Sequence, residues 1–276
     1  MADDEKILDW MKSVAPALKR ATSRTGYEAL KPSWSGFYRE AHPKGIKPAV
    51  DVYLPGQGRN HPSVILVHGG GFVVGSRQMS SMSYLASELC KQGVACASID
   101  YRLIFRGGRL DESVDDVQTA VAWWRSMASE YSLNEDKISL LGCSAGAALV
   151  MLSASHVGEL WRVIGVYGVY DFTNLPGRPS RLPARLLLGS DDPEIWAARS
   201  PNQAANFAAP LLLLHGTADT LVVKRHSEEL AARRESAGLP VELCLYPDEP
   251  HGFLQDGPLR PAVLQALDDI LRFLKI

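Results

Sequence analysis

Short apolar blocks and amphipathic stretches alternate along most of this chain. Residues 63–67, 93–99, 137–141, 163–169, 210–214 and 241–246 form strand-sized apolar runs. Between them, residues 83–92, 112–130, 145–155, 221–237 and 261–274 carry helical patterns, the third rich in small side chains. Buried strands separated by helices predict a mostly parallel sheet covered on both faces. Two more strands, at 35–42 and 48–54, flank the turn residues Pro43, Lys44 and Gly45. They predict an antiparallel hairpin and bring the sheet to eight strands. Residues 4–20 set Ile7, Met11, Val14 and Leu18 on one helical face. Such a face belongs to a helix docked on the body or to a flap over a site, and docking is its commoner use. Residues 171–209 break the rhythm, with five prolines and little periodicity in 39 residues. They predict an irregular insertion, either lid or loop. No repeat or composition break divides the rest. The expectation is one α/β domain over 1–276, with residues 1–34 and the 171–209 insertion as a small cap.

Composition narrows the partners. Of 276 residues, 46% are hydrophobic and 22% charged, a balance that excludes extensive disorder. A net charge of −2 supplies no field to hold a polyanion, which argues against nucleic acid. No apolar run approaches the roughly 18 residues of a membrane helix. The acidic start, Met1-Ala2-Asp3-Asp4-Glu5, is unlike a secretory signal. A cytoplasmic protein with no membrane partner is expected. Cys90, Cys96, Cys143 and Cys244 form no C-x-x-C pair, so reduced thiols and no structural metal are expected. The strand at 241–246 ends the series and leaves a sheet edge on which a second copy could pair, so a homodimer stays open.

In open α/β sheets chemistry gathers at the carboxyl ends of the strands. After the strand at 137–141 comes Gly142-Cys143-Ser144-Ala145-Gly146, a G-x-S-x-G set between strand and helix. A serine on that sharp turn projects its hydroxyl clear of the backbone, as a nucleophile must. Cys143 is the rival nucleophile, but its side chain should point away from the tip as a small buried filler. After 63–67 comes His68-Gly69-Gly70-Gly71-Phe72, whose glycines let backbone amides turn towards an anion. No G-K-[ST] follows and the spacing is not G-x-G-x-x-G, so an oxyanion loop is preferred to a phosphate cradle. The general base comes by elimination among seven histidines. In this fold the chain order is serine, acid, histidine. His42, His61 and His68 precede the serine. His156 is too near it, His215 ends a strand and His226 lies in a helix. His251 remains, on the loop after the last strand. Asp219, after the strand at 210–214, is the expected acid, with Asp171 the second choice. Asp248 and Glu249 would have to fold back across a proline-containing loop.

In this order and on these elements, five motifs carry a resemblance over residues 50–274. They are HGGGF at 68–72, DYRL at 100–103, GCSAG at 142–146, HGTAD at 215–219 and HGF at 251–253. The chain resembles the hormone-sensitive-lipase-like esterases of the α/β-hydrolase fold. The resemblance implies that the amides of Gly70, Gly71 and Ala145 form the oxyanion hole. It also implies that Asp100, Tyr101 and Arg102 support the site from behind. It departs from that group in having Cys143 where an acidic residue is usual, and in lacking Ala-Pro-Glu after Arg102.

Hydrolysis of a small-molecule carboxylic ester through an acyl-enzyme is the expected function, with no cofactor and no metal. Phe72, Trp196, Leu221 and Val222 are candidate apolar walls, each of which could equally be core. A short insertion argues for short acyl groups. The alternatives are an arylformamidase, a deacetylase or a lactonase. From other classes come a lyase or cyclase and a non-catalytic receptor on the same fold. An intact serine triad favours hydrolysis over both.

Overall fold

The computed structural model describes residues 27–39, 48–175 and 182–276. The helix expected at 4–20 and the turn at 43–45 lie outside the described residues. Eight strands form one sheet: β1 (Trp34–Phe37), β2 (Ala49–Tyr53), β3 (His61–Val67), β4 (Ala95–Ile99), β5 (Leu133–Cys143), β6 (Arg162–Val166), β7 (Leu211–Gly216) and β8 (Val241–Tyr246). Their order is β1-β2-β4-β3-β5-β6-β7-β8. The pairs β1–β2 and β2–β4 are antiparallel and all others parallel, so the amino-terminal hairpin is an edge on a parallel sheet. β8 is the opposite edge.

The central strands are mostly apolar because both of their faces are covered. Ile65 and Val67 of β3 and Leu211 and Leu213 of β7 pack on one side. They meet α2 (Leu110–Ser126), α3 (Ala145–Ala154) and α7 (Arg225–Ser236), through residues such as Val117, Trp124, Ala148 and Leu230. Val64 and Leu66, with Leu212 and Leu214, pack on the other. There they meet α1 (Ser80–Lys91) and α8 (Pro261–Phe273), through Met82, Leu85, Val263 and Ile270. The period of two, set by the pleat, sends successive side chains to opposite faces, and the parallel pairing points these strands at one rim. Their carboxyl ends deliver the loops that carry the chemistry.

The boundaries differ from the expected ones in instructive ways. β5 starts at Leu133, ahead of its apolar run, because polar Asn134 to Lys137 extend the strand past the buried sheet. α7 starts at Arg225 and not at 221, because the amides of Leu221 and Val222 are engaged in holding Asp219. Among the described residues of the insertion lie three short α-helices, α4 (Leu182–Leu188), α5 (Pro193–Ala198) and α6 (Pro201–Ala204). They are too short to show periodicity. Pro193 and Pro201 open helices at the first turn, where a missing N–H costs nothing, so these prolines are starts and not breaks.

DYRL braces the loop after β3. Arg77 donates from its amide and its guanidinium to the Asp100 carboxylate, both at 2.7 Å. The Tyr101 hydroxyl donates to His68 O at 3.1 Å, and its ring stacks on His68 at 4.3 Å. Arg102 pairs with buried Asp116 at 2.8 Å, tying the same segment to α2.

Candidate active site

Ser144 sits between β5 and α3 at φ 52° and ψ −114°, a backbone that costs a non-glycine residue about 1–3 kcal/mol. The turn holds because its neighbours fit only as glycine. A Cβ on Gly142 would collide with Gly146 O, and one on Gly146 with Val67 O. The Ser144 amide donates to Val166 O at 2.8 Å, fixing the elbow to β6.

Ser144 Oγ lies 3.0 Å from His251 Nε2, and His251 Nδ1 lies 2.7 Å from Asp219 Oδ2. Three residues separated by up to 107 positions therefore meet in one hydrogen-bonded line. Asp219 Oδ1 accepts from the amides of Leu221 at 3.0 Å and Val222 at 2.8 Å. Burial by itself pushes this carboxyl up. The contacts to His215, His251 and the Val222 amide outweigh burial and bring it down to about 2. Asp219 is thus a carboxylate near neutral pH. Its Oδ2 holds the proton of His251 on Nδ1, which leaves Nε2 as an acceptor facing the serine hydroxyl.

The loop after β3 runs against the elbow. A Cβ on Gly69 would come 3.0 Å from Cys143 O and 3.2 Å from Ser144 Cβ. Gly70, Gly71 and Phe72 follow with φ of 116°, 62° and 63°, and the chain curls so that Val73 and Val74 both donate to Gly70 O. No acceptor among the described residues takes the amides of Gly70, Gly71 or Ala145. Burial lowers the His68 imidazole, which stays neutral, and its Nδ1–H donates to Gly69 O at 2.6 Å. Gly70→Ala forces a Cβ onto Val74 O at an unfavourable φ. A displaced donor of this kind costs about 10²–10³ in kcat. Steady-state kinetics beside a melting curve would separate that loss from unfolding.

The other expected residues have other partners. Asp171 accepts from the amide and hydroxyl of Thr173 and caps the turn at Phe172–Asn174, so it holds its own loop and not His251. His226 accepts from the amides of Tyr170 and Asp171, both 3.2 Å away, and anchors the start of the insertion. Glu249 pairs with Arg260 at 3.0 Å, and the Asp248 amide donates to Thr217. Cys143 is buried, and burial pushes its thiol up to about 12, partly opposed by the Tyr167 hydroxyl beside it. It is the expected filler.

Of the candidate walls, Phe72 is buried with its ring edge-on to Phe172 at 6.3 Å. Trp196 is buried within the insertion, where its indole N–H donates to Ser190 O at 2.8 Å. Leu221 and Val222 lie beside Asp219 and hold it through their backbones. Sequence reasoning missed Tyr167. It follows β6 at φ 39°, and its ring lies 5.0 Å from that of His251 and 5.7 Å from that of Phe253. Position 167 falls inside the apolar run expected as a strand at 163–169, where a tyrosine reads as one more core residue. Among the described residues no group of His, Cys, Asp and Glu could hold a metal ion, and no helix is long and apolar enough to cross a membrane.

The BD-FAE family model matches residues 50–233, about two thirds of the chain. Esterase LipC of Mycobacterium tuberculosis is 30% identical over 240 residues, covering 76% of this chain and 59% of that one. Isoprenylcysteine alpha-carbonyl methylesterase ICME of Arabidopsis thaliana is 25% identical over 251 residues, covering 80% and 58%. This chain thus spans less than two thirds of the length of these relatives. Among solved structures, Thermogutta terrifontis esterase 2 phosphoramylated by tabun superposes with a TM-score of 0.76 at 21% identity, over 91% of this chain and 97% of that one. The same esterase with butyrate bound superposes at 0.73 and 22% identity, over 87% and 92%. The chain has the α/β-hydrolase fold and belongs to the BD-FAE family.

Proposed function

We propose that this chain is a serine carboxylesterase acting on small, short-acyl esters. The observation that carries the reading is the line Ser144 Oγ, His251 Nε2, His251 Nδ1, Asp219 Oδ2, with its links of 3.0 and 2.7 Å. Ser144 attacks the ester carbonyl while His251 takes its proton, and Asp219 stabilises the imidazolium that forms. The amides of Gly70, Gly71 and Ala145 receive the tetrahedral oxyanion. His251 then protonates the leaving alcohol, deprotonates a water, and the acyl-enzyme is hydrolysed. Side chains and amides complete the cycle, so no cofactor enters it. One α/β-hydrolase domain with a small cap accounts for the arrangement, because Ser144, Asp219, His251 and the glycine loop meet at the carboxyl rim of one sheet.

Three things support the substrate class. Relatives at 25–30% identity are named esterases. The structural neighbour has been solved with butyrate and with propionate bound, both short acids. Among the described residues the insertion's α-helices are short, of four to seven residues, little cover for a long acyl chain. A series of p-nitrophenyl esters from acetate to palmitate tests the reading. The highest kcat/KM is expected between acetate and butyrate, with a steady fall beyond. Preference for palmitate would overturn the short-acyl assignment, and no turnover of any member would overturn the esterase.

A further inference from the structure

Asp219 is held from behind as well as from the front. His215, near the end of β7, is fully buried, and its Nε2 lies 2.8 Å from Val222 O and 3.2 Å from Asp219 Oδ2. Both are acceptors, so Nε2 carries the ring proton. Nδ1 must then accept, and the hydroxyl of Ser227 in the first turn of α7 stands 2.7 Å from it. Ser227 is itself buried and bonds to His215 through that hydroxyl. The peptide of Val222 closes the circuit, since its carbonyl accepts from His215 while its amide donates to Asp219 Oδ1 at 2.8 Å.

We infer that Ser227 and His215 are positioning residues for the Asp219–His251 pair. Ser227 fixes the Nε2–H tautomer of His215, and that N–H braces Asp219 Oδ2 and the Val222 carbonyl together. The reverse tautomer would set a nitrogen lone pair against two oxygens and push the carboxylate off its line to His251. An apolar residue at position 215 would fill the space yet leave Oδ2 facing His251 alone. The carboxylate charge, no longer shared, would then hold the imidazolium form of His251 more tightly. The line of residues thus extends from three to five, running Ser227, His215, Asp219, His251, Ser144. This inference rests on the serine hydrolase reading of the site.

The test compares the unmodified chain with Ser227→Ala, His215→Leu and His215→Gln on p-nitrophenyl acetate, measuring kcat and KM across pH beside melting temperature. Ser227→Ala and His215→Leu are expected to lower kcat about tenfold with KM little changed. The acid limb of the kcat/KM profile moves to higher pH in His215→Leu, whose Oδ2 faces His251 alone, and to lower pH in Ser227→Ala, whose carboxylate is pushed off its line to His251. His215→Gln, which returns an N–H donor, recovers part of the loss. If His215→Leu does not fold, Ser227→Ala, which deletes one oxygen, carries the test. An active parent whose folded variants keep its kcat and its acid limb overturns this inference alone. A parent with no turnover overturns the hydrolase reading and this inference with it.

Discussion

Ser144→Ala is expected to lower kcat by about 10⁶ on any ester the parent hydrolyses, because the nucleophile and its base act as a unit. No neighbour can take its place. Cys143 is buried and its thiol is pushed up to about 12, so it supplies no thiolate near neutral pH. The alanine keeps the Cβ that faces Gly69, and it bears the same positive φ as the serine. The melting temperature should therefore stay close to that of the parent while turnover vanishes. A variant retaining more than about a hundredth of the parent kcat would remove Ser144 from the chemistry.

Asp219→Asn is expected to cost about 10⁴ in kcat, through the wrong tautomer of His251. An asparagine placed to keep its Oδ1 on the amides of Leu221 and Val222 must point its NH₂ at His251 Nδ1 and towards His215 Nε2. The imidazole then carries its proton on Nε2, facing Ser144 Oγ, and cannot accept from it. The opposite amide rotamer restores the histidine contact but sets NH₂ against two backbone N–H groups. Stability should respond to pH in a defined direction. The carboxyl of Asp219 lies at about 2 in the folded chain, against about 3.9 when unfolded. A depressed value stabilises the fold above about pH 4, and that contribution is lost as pH falls towards 2. The parent's stability advantage over the asparagine variant, read from urea melts, should therefore shrink between pH 4 and 2. An unchanged advantage there would mean that the carboxylate is not what Asp219 contributes.

What was legible in the sequence follows from what each feature demands locally. G-x-S-x-G could be read because Gly142 and Gly146 each touch backbone where no Cβ fits. His251 and Asp219 could be read from chain order and from the rule that strand ends carry the chemistry. The central strands could be read because two covered faces make them near-continuous apolar runs. Tyr167 left no such mark, since a single aromatic after a strand resembles any core residue until its ring is seen against His251. Leu221 and Val222 suggested side-chain walls, whereas the structure uses their amides, which no residue type advertises. His215 reads in the sequence only as a residue at a strand end, and its approach to Asp219 exists only once β7 and α7 are packed. The helices of the insertion were hidden by their brevity and by prolines that open them.

Covalent labelling with paraoxon tests the central claim most directly, because only an activated nucleophile attacks its phosphorus. The expected result is one equivalent of p-nitrophenolate released per chain, with a single diethylphosphoryl adduct mapped to Ser144 by peptide mass spectrometry. Neither the burst nor the adduct should appear in Ser144→Ala. An adduct on another residue, an adduct that survives the substitution, or no adduct on the folded parent would contradict the account.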